Sequence, residues 1–170
     1  PYTETRTMNN GWQWNIPMHR SDHLGYVFSS SFCSDEQAEQ KFRTLNPGIK
    51  DTKTLRFRSG RHADFVKGNV AAIGNAYGFI EALQSTGLHM VITNIYALVL
   101  HFKNLDKGKN QGVAISKNLG EIWDKLRWFI ALHFRLNERS NSHFWKTCRA
   151  KVDISGAEEL LELYQAQGPL

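Results

Sequence analysis

The residues best suited to chemistry lie in one stretch near the middle of the chain. It reads Gly74-Asn75-Ala76-Tyr77-Gly78, then Phe79-Ile80-Glu81-Ala82-Leu83-Gln84, then Ser85-Thr86-Gly87 at the head of a long apolar run. A strand ending in glycine lets a ligand or a neighbouring backbone come close. Ser-Thr-Gly at a helix start leaves N–H groups without intrahelical partners, and these donors favour an anion or an electron-rich ring edge. The same residues also fit an ordinary N-cap with glycines for tight packing, and spacing alone leaves both readings open. Trp12 and Trp14, two positions apart, share one side of a strand, where they either line a flat aromatic pocket or cover a core. His19 and His23 have the i, i+4 spacing of a zinc pair, but Pro17 and Gly25 bracket them in a turn and no third ligand follows, so no metal is expected. Lys53, Arg56, Arg58, Arg61 and Lys67 suit either phosphate or a solvated strand face. The 13 glycines contain no G-x-G-x-x-G, and neither a P-loop nor a G-x-S-x-G is present, so no complete catalytic machinery is visible.

These groups need elements to carry them. Gly11–Pro17 alternates large apolar and polar residues and predicts a strand, with Leu24–Phe32 as its hairpin partner. Ser34 or Asp35 caps a helix that runs to about Leu45, where Asn46-Pro47-Gly48 stops it. Thr54–Arg58 alternates as a further strand, and Asn69–Gly74 reads as a short apolar one. The remainder is helical: Ser85 to Phe102, then Ser116 to Leu136, with Leu119, Ile122, Trp123, Leu126 and Ile130 on one face. A short helix surrounds Phe144-Trp145. The last opens on a capping box at Ser155–Glu158 and closes at Gly168-Pro169. Lys103–Gln111 is expected to be a solvated loop. The fold class is therefore α+β, a small antiparallel sheet followed by a mostly helical C-terminal region.

Composition narrows the class further. The chain has 170 residues, 41% hydrophobic and 22% charged, with only 4 prolines, which excludes disorder, collagen and low complexity and allows one domain with a real core. Cys33 and Cys148 have no paired spacing, so a disulfide framework is excluded and a reducing cytoplasm is expected. The net charge of +5 suits a phosphate-bearing cofactor without being a nucleic-acid signature. The N-terminus has no apolar signal core. It also lacks an initiator methionine, so the numbered chain is open to beginning inside a longer one. The most apolar run, Leu88 to Phe102, is shorter than the roughly 20 residues a membrane helix needs and is expected to be a core helix.

At Gly11-Trp12-Gln13-Trp14-Asn15-Ile16-Pro17 the sequence resembles the W-x-W-x-I-P motif of flavin-dependent halogenases, the tryptophan-halogenase family. Pro1-Tyr2-Thr3, Gly25-Tyr26-Val27, Ser34-Asp35-Glu36 and Gly60-Arg61 resemble that family in its own order. So do Ala72-Ile73-Gly74-Asn75-Ala76, Phe79-Ile80-Glu81, Ser85-Thr86-Gly87 and Asn141–Arg149. The resemblance covers nearly the whole chain. It implies part of a flavin-monooxygenase-like fold, with residues 1–170 forming a single partial domain from the central-to-C-terminal portion. The N-terminal FAD-binding half, with its glycine motif and tunnel lysine, would lie outside. It further implies reduced FAD supplied by a separate flavin reductase through diffusible flavin, a halide ion, and an aromatic indole- or phenol-type small molecule as substrate. No nucleic acid or membrane partner is expected, and a homodimer is possible.

By the same resemblance, Gly74, Asn75 and Ala76 match the segment whose backbone meets the flavin's phosphate and ribityl region. Thr86 and Gly87 match the residues whose N–H groups hold halide beside the flavin. Trp12, Trp14, Ile16 and Pro17 match the motif that keeps oxygenated flavin from attacking substrate directly. Two positions depart from the tryptophan-specific members: Ala82 replaces a proline, and Gln84 replaces the glutamate that places or activates the halogenating species. Glutamine keeps the shape without the charge. Two rival expectations remain: a halogenase-like flavin monooxygenase that oxygenates, and a non-catalytic binding fragment.

Overall fold

The computed structural model describes residues 2–105 and 111–168. The chain divides into two compact units, Pro1–Arg56 with His133–Asp153, and Phe57–Leu132 with Ile154–Leu170. Across both, small antiparallel sheets come first and helices follow, the α+β arrangement expected from the sequence.

The first unit is built on an antiparallel meander of β1 (Glu4–Met8), β2 (Gly11–Pro17) and β3 (Asp22–Phe28). In its register Trp12 faces Val27, Gln13 faces Tyr26 and Trp14 faces Gly25. β1 carries almost no apolar alternation, which is why the sequence did not announce it; it is recruited as a polar edge on β2. β3 ends at Phe28 rather than the expected Phe32, because the Phe32 and Cys33 amides turn back onto the Ser29 carbonyl. Ser34 then starts α1 (Asp35–Leu45) with a reciprocal capping box to Gln37. α1 buries Ala38 and Phe42, and the Phe42 ring stacks on Tyr26. The later helix of this unit spans His143–Lys151. Its Trp145 indole donates to the Met8 carbonyl at 2.6 Å, and Phe144, Trp145 and Cys148 form a core with Phe32, Phe134 and Val152.

The expected strand at Thr54–Arg58 is not formed. Residues 51–59 have no regular structure, Leu55 is 72% exposed, and Arg56 is spent on an ion pair with Asp35 at 2.6 Å. Alternation describes an extended segment, but a strand also needs a partner edge, and none is offered.

The second unit holds two minimal strand pairs: β4 (Gly60–Arg61) with β7 (Gly78–Phe79), and β5 (Val66–Lys67) with β6 (Val70–Ala71). The Asn69–Gly74 strand thus shrinks to Val70–Ala71, and Gly74 opens a 3-10 turn instead. The buried Ser116 hydroxyl accepts from the Phe65 and Val66 amides, satisfying backbone that so short a strand cannot pair. Three helices follow in this unit or into it: α2 (Thr86–Leu105), α3 (Gly112–Arg135) and, after the His143–Lys151 helix α4, α5 (Glu158–Gln167). The α3 stripe is as expected, with Leu119, Trp123 and Ile130 buried. α5 is not opened by a Ser155–Glu158 capping box; Ala157 is its N-cap and supplies no side-chain bond. Of the expected Lys103–Gln111 loop, Lys103 to Leu105 are helical and 106–110 lie outside the described residues.

α2 departs from the core helix expected. Its buried positions are Thr86, Met90, Asn94 and His101, whereas Leu88, Ile92, Tyr96, Val99 and Phe102 are exposed. The polar side of this helix packs inward and the apolar side is open. With the turn before it, Leu83–Leu105 spans 23 residues and is the one helix among the described residues long and apolar enough to cross a membrane, which corrects the shorter sequence count.

Candidate functional site

Gly74 begins the 3-10 turn Gly74–Ala76 with φ +60, and the Tyr77 amide closes it onto the Gly74 carbonyl at 2.9 Å. Only glycine fits there. A Cβ would carry the cost of left-handed backbone and sit 2.8 Å from the Val91 side chain. The Gly74 amide donates to the side-chain oxygen of Asn94, 2.9 Å away and fully buried.

A second turn, Leu83–Ser85, leads into α2. Gln84 (φ 61) and Ser85 (φ 54) are consecutive non-glycine residues in left-handed backbone, the only two with positive φ among the described residues. Such conformations cost about 1–3 kcal/mol each and persist where surrounding structure imposes them. Thr86, 4% exposed, braces the segment beside them: its hydroxyl lies 3.3 Å from the Glu81 carbonyl and 3.5 Å from the Leu83 carbonyl.

These two turns face one another across a cleft of about 640 Å³, whose walls include Gly74, Asn75, Phe79, Ser85, Gly87 and Leu88. The structure therefore brings Gly74, Asn75 and Gly87 into one site. Ala76 is exposed at the end of its turn, Thr86 lies behind the wall as a brace, and Gln84 sits in the strained turn rather than on the lining. A Cβ on Gly87 would stand in open space, with no neighbouring group within 4 Å.

The second sequence cluster belongs to the first unit. Trp12 is buried, so that indole is a core residue; Trp14 is half-buried against Gly25, Ile16 is exposed, and Pro17 ends the strand opposite Asp22. The Trp12 indole N–H has no partner among the described residues.

Arg61 is not on a solvated strand face but is engaged by α3. Its guanidinium donates to Asp124 at 3.1 Å and lies 5.8 Å from the centre of the Trp123 ring. The bond to Asp124 pushes its pKa up still further. Arg61 thus ties β4, and through it β7, to α3. His19 lies in the expected turn but His23 lies in β3 opposite Ile16, and among the described residues no group of three or more His, Cys, Asp or Glu is placed to hold a metal ion. Cys33 and Cys148 are free and buried, and burial pushes both thiols up. Sequence reasoning missed the inward roles of Asn94, Ser116 and the Thr86 hydroxyl. Asn94 in the middle of an apolar helix was the signal available.

The α+β fold is the one the resemblance led us to expect. Comparison with known proteins agrees. The family model described as tryptophan halogenase matches residues 1–170, and the chain belongs to that family. Tryptophan 7-halogenase KtzQ of Kutzneria sp. (strain 744) is 35% identical over 100% of this chain and 32% of its own length. Tryptophan 7-halogenase RebH of Lentzea aerocolonigenes is 31% identical, covering 98% and 32%. Among solved structures, MibH, a lathipeptide tryptophan 5-halogenase, superposes with a TM-score of 0.90 at 44% identity, over 96% of this chain and 32% of that one. BrvH, a flavin-dependent halogenase from Brevundimonas sp. BAL3, gives 0.87 at 31% identity, over 100% and 35%. The chain spans about a third of the length of the curated relatives it matches.

Proposed function

We propose that residues 1–170 are the central-to-C-terminal portion of a flavin-dependent halogenase that uses reduced FAD, oxygen and halide to halogenate an indole- or phenol-type substrate. The observation that carries this is the shared cleft, in which the Gly74-Asn75 turn faces the Ser85–Gly87 helix start. The residues fit the groups concerned. Gly74 has the backbone for close approach, and Gly87 carries no side chain and has open space where a Cβ would stand. Bound flavin would supply the oxygen activation that no side chain here can provide.

The chain's own residues do the rest. The Gly74-Asn75-Ala76 turn would lie against the flavin's phosphate and ribityl region, with Asn75 nearest to a free donor, since the Gly74 and Ala76 amides are held by Asn94 and Ile73. The Thr86 and Gly87 amides hold the halide, with the positive end of α2 behind them. The Thr86 hydroxyl braces the segment beside Gln84 and Ser85 that leads into those amides. Trp12 fixes the strand that carries Trp14, Ile16 and Pro17, the residues that match the family's motif against direct oxygenation of substrate. Gln84 offers an amide where a carboxylate would add charge, so it orients by hydrogen bonding alone. A separate reductase supplies the flavin by diffusion, and the cytoplasm is the compartment.

The relatives named for tryptophan make an indole the first substrate to try. A peptide-borne tryptophan stands beside the free amino acid because MibH is named for a lathipeptide. Gln84 also favours a second reading, a halogenase-like flavoprotein that oxygenates. Product mass separates the two. The polypeptide carrying these residues, at its full encoded length, is incubated with FAD, a flavin reductase, bromide and an indole or tryptophan peptide. Bromine-for-hydrogen exchange, with its isotope doublet, is expected. Oxygen insertion with no bromide dependence establishes the second reading instead.

A further inference from the structure

The geometry points to Asn94 as the positioning residue that fastens the flavin turn to the halide helix, so that one helix sets both walls of the cleft. This rests on the reading of that cleft as the flavin and halide site. Asn94 lies two turns into α2, the helix whose first residues are Thr86 and Gly87. It is 0% exposed, and its side-chain oxygen accepts the Gly74 amide at 2.9 Å across a buried path. The orientation of the amide is set by this bond. Were oxygen and nitrogen exchanged, two N–H donors would face each other.

The side-chain nitrogen of Asn94 has no partner among the described residues. A buried orphan donor is costly, and an apolar residue would avoid it, as the buried Met90 does one turn earlier on the same helix. What the asparagine gives in return is an acceptor for Gly74, whose left-handed φ leaves its amide pointing at α2 and not along a strand. Val91 packs against the same glycine, and a Cβ there would lie 2.8 Å from its methyl. Asn94 and Val91, three residues apart on one helix face, therefore grip Gly74 from the polar and apolar sides.

The test uses the full-length polypeptide and reads FAD affinity by flavin fluorescence quenching, with Tm and Gly74 amide exchange measured alongside. Asn94→Leu removes the acceptor and is expected to weaken FAD about tenfold and to speed Gly74 exchange. Asn94→Asp keeps an acceptor oxygen in place and is expected to restore FAD affinity to within about threefold. If the leucine variant does not fold, Asn94→Ser, whose hydroxyl falls short of Gly74, takes its place with the same expectation. A lowered Tm with unchanged FAD affinity in the folded protein would assign Asn94 to the fold alone and overturn the proposal. If the unmutated protein binds FAD without slowing Gly74 exchange, or binds none, it is the reading of the cleft that fails, and this inference with it.

Discussion

The Trp14 indole lies directly over Gly25 on the neighbouring strand, its six-membered ring and ring nitrogen filling the space a Cβ would need. The glycine is thus what lets the second tryptophan of the W-x-W-x-I-P run lie flat on the sheet. Gly25→Ala should push the ring off and cost about 1–3 kcal/mol, the usual range for overpacking. Thermal unfolding and tryptophan emission check it: a lower Tm with a red-shifted spectrum is expected, and an unchanged pair would show that Trp14 does not depend on Gly25.

Thr86 is a second place where one group braces local backbone. Its hydroxyl proton is shared between the Glu81 carbonyl and the Leu83 carbonyl of the turn, so Thr86→Val, nearly the same shape without the donor, should cost about 1 kcal/mol. Thr86→Ser keeps the hydroxyl and should recover most of it. Denaturant unfolding of the three proteins gives the comparison.

Tyr26 links pH to stability. Burial against α1, with Cys33 nearby as a lesser cause, pushes its pKa from 10.0 up to about 12. The unfolded chain therefore gives up this proton first. Stability is full below about pH 10 and falls as pH rises towards 12. Tyr26→Phe should flatten that part of the alkaline fall. An identical profile would mean the phenol titrates normally.

The open apolar side of α2 carries Leu88, Ile92, Tyr96, Val99 and Phe102, with Leu88 66% and Tyr96 67% exposed. An apolar stripe of this extent marks a face that another surface covers. The 170-residue chain by itself should form dimers or larger species, and Ile92→Glu with Tyr96→Glu should reduce them. Light scattering during gel filtration is the check; a monodisperse monomer of the unmutated chain would contradict it.

The sequence made legible those elements whose pattern and caps agree. β2 runs from Gly11 to Pro17 as read, and α1 follows Ser34 with its capping box intact. Where local pattern depends on a distant partner, reading stopped short. Thr54–Arg58 alternates but has no edge to pair with, while β1 pairs without alternating. In the cleft, residue types pointed to Gly74, Asn75 and Gly87, since glycine and free amides act locally. Asn94 and Arg61 act across 20 and 63 positions, onto Gly74 and Asp124, and no local pattern carries such a pairing.

The proposal that halide and flavin meet in the cleft between Gly74-Asn75 and Ser85–Gly87 can be checked on the ion itself. Charge–dipole contacts at a helix start are worth about 0.3–2 kcal/mol each, so halide should bind only near the millimolar range, where about 4 kcal/mol suffices. Bromide anomalous scattering from flavin-bound crystals of the full-length polypeptide tests the claim most directly. The account predicts a bromide peak against the Thr86 and Gly87 amides, lost when Gly87→Pro removes one of them. A peak remote from residues 85–87, or one at these amides that survives Gly87→Pro undiminished, would contradict it.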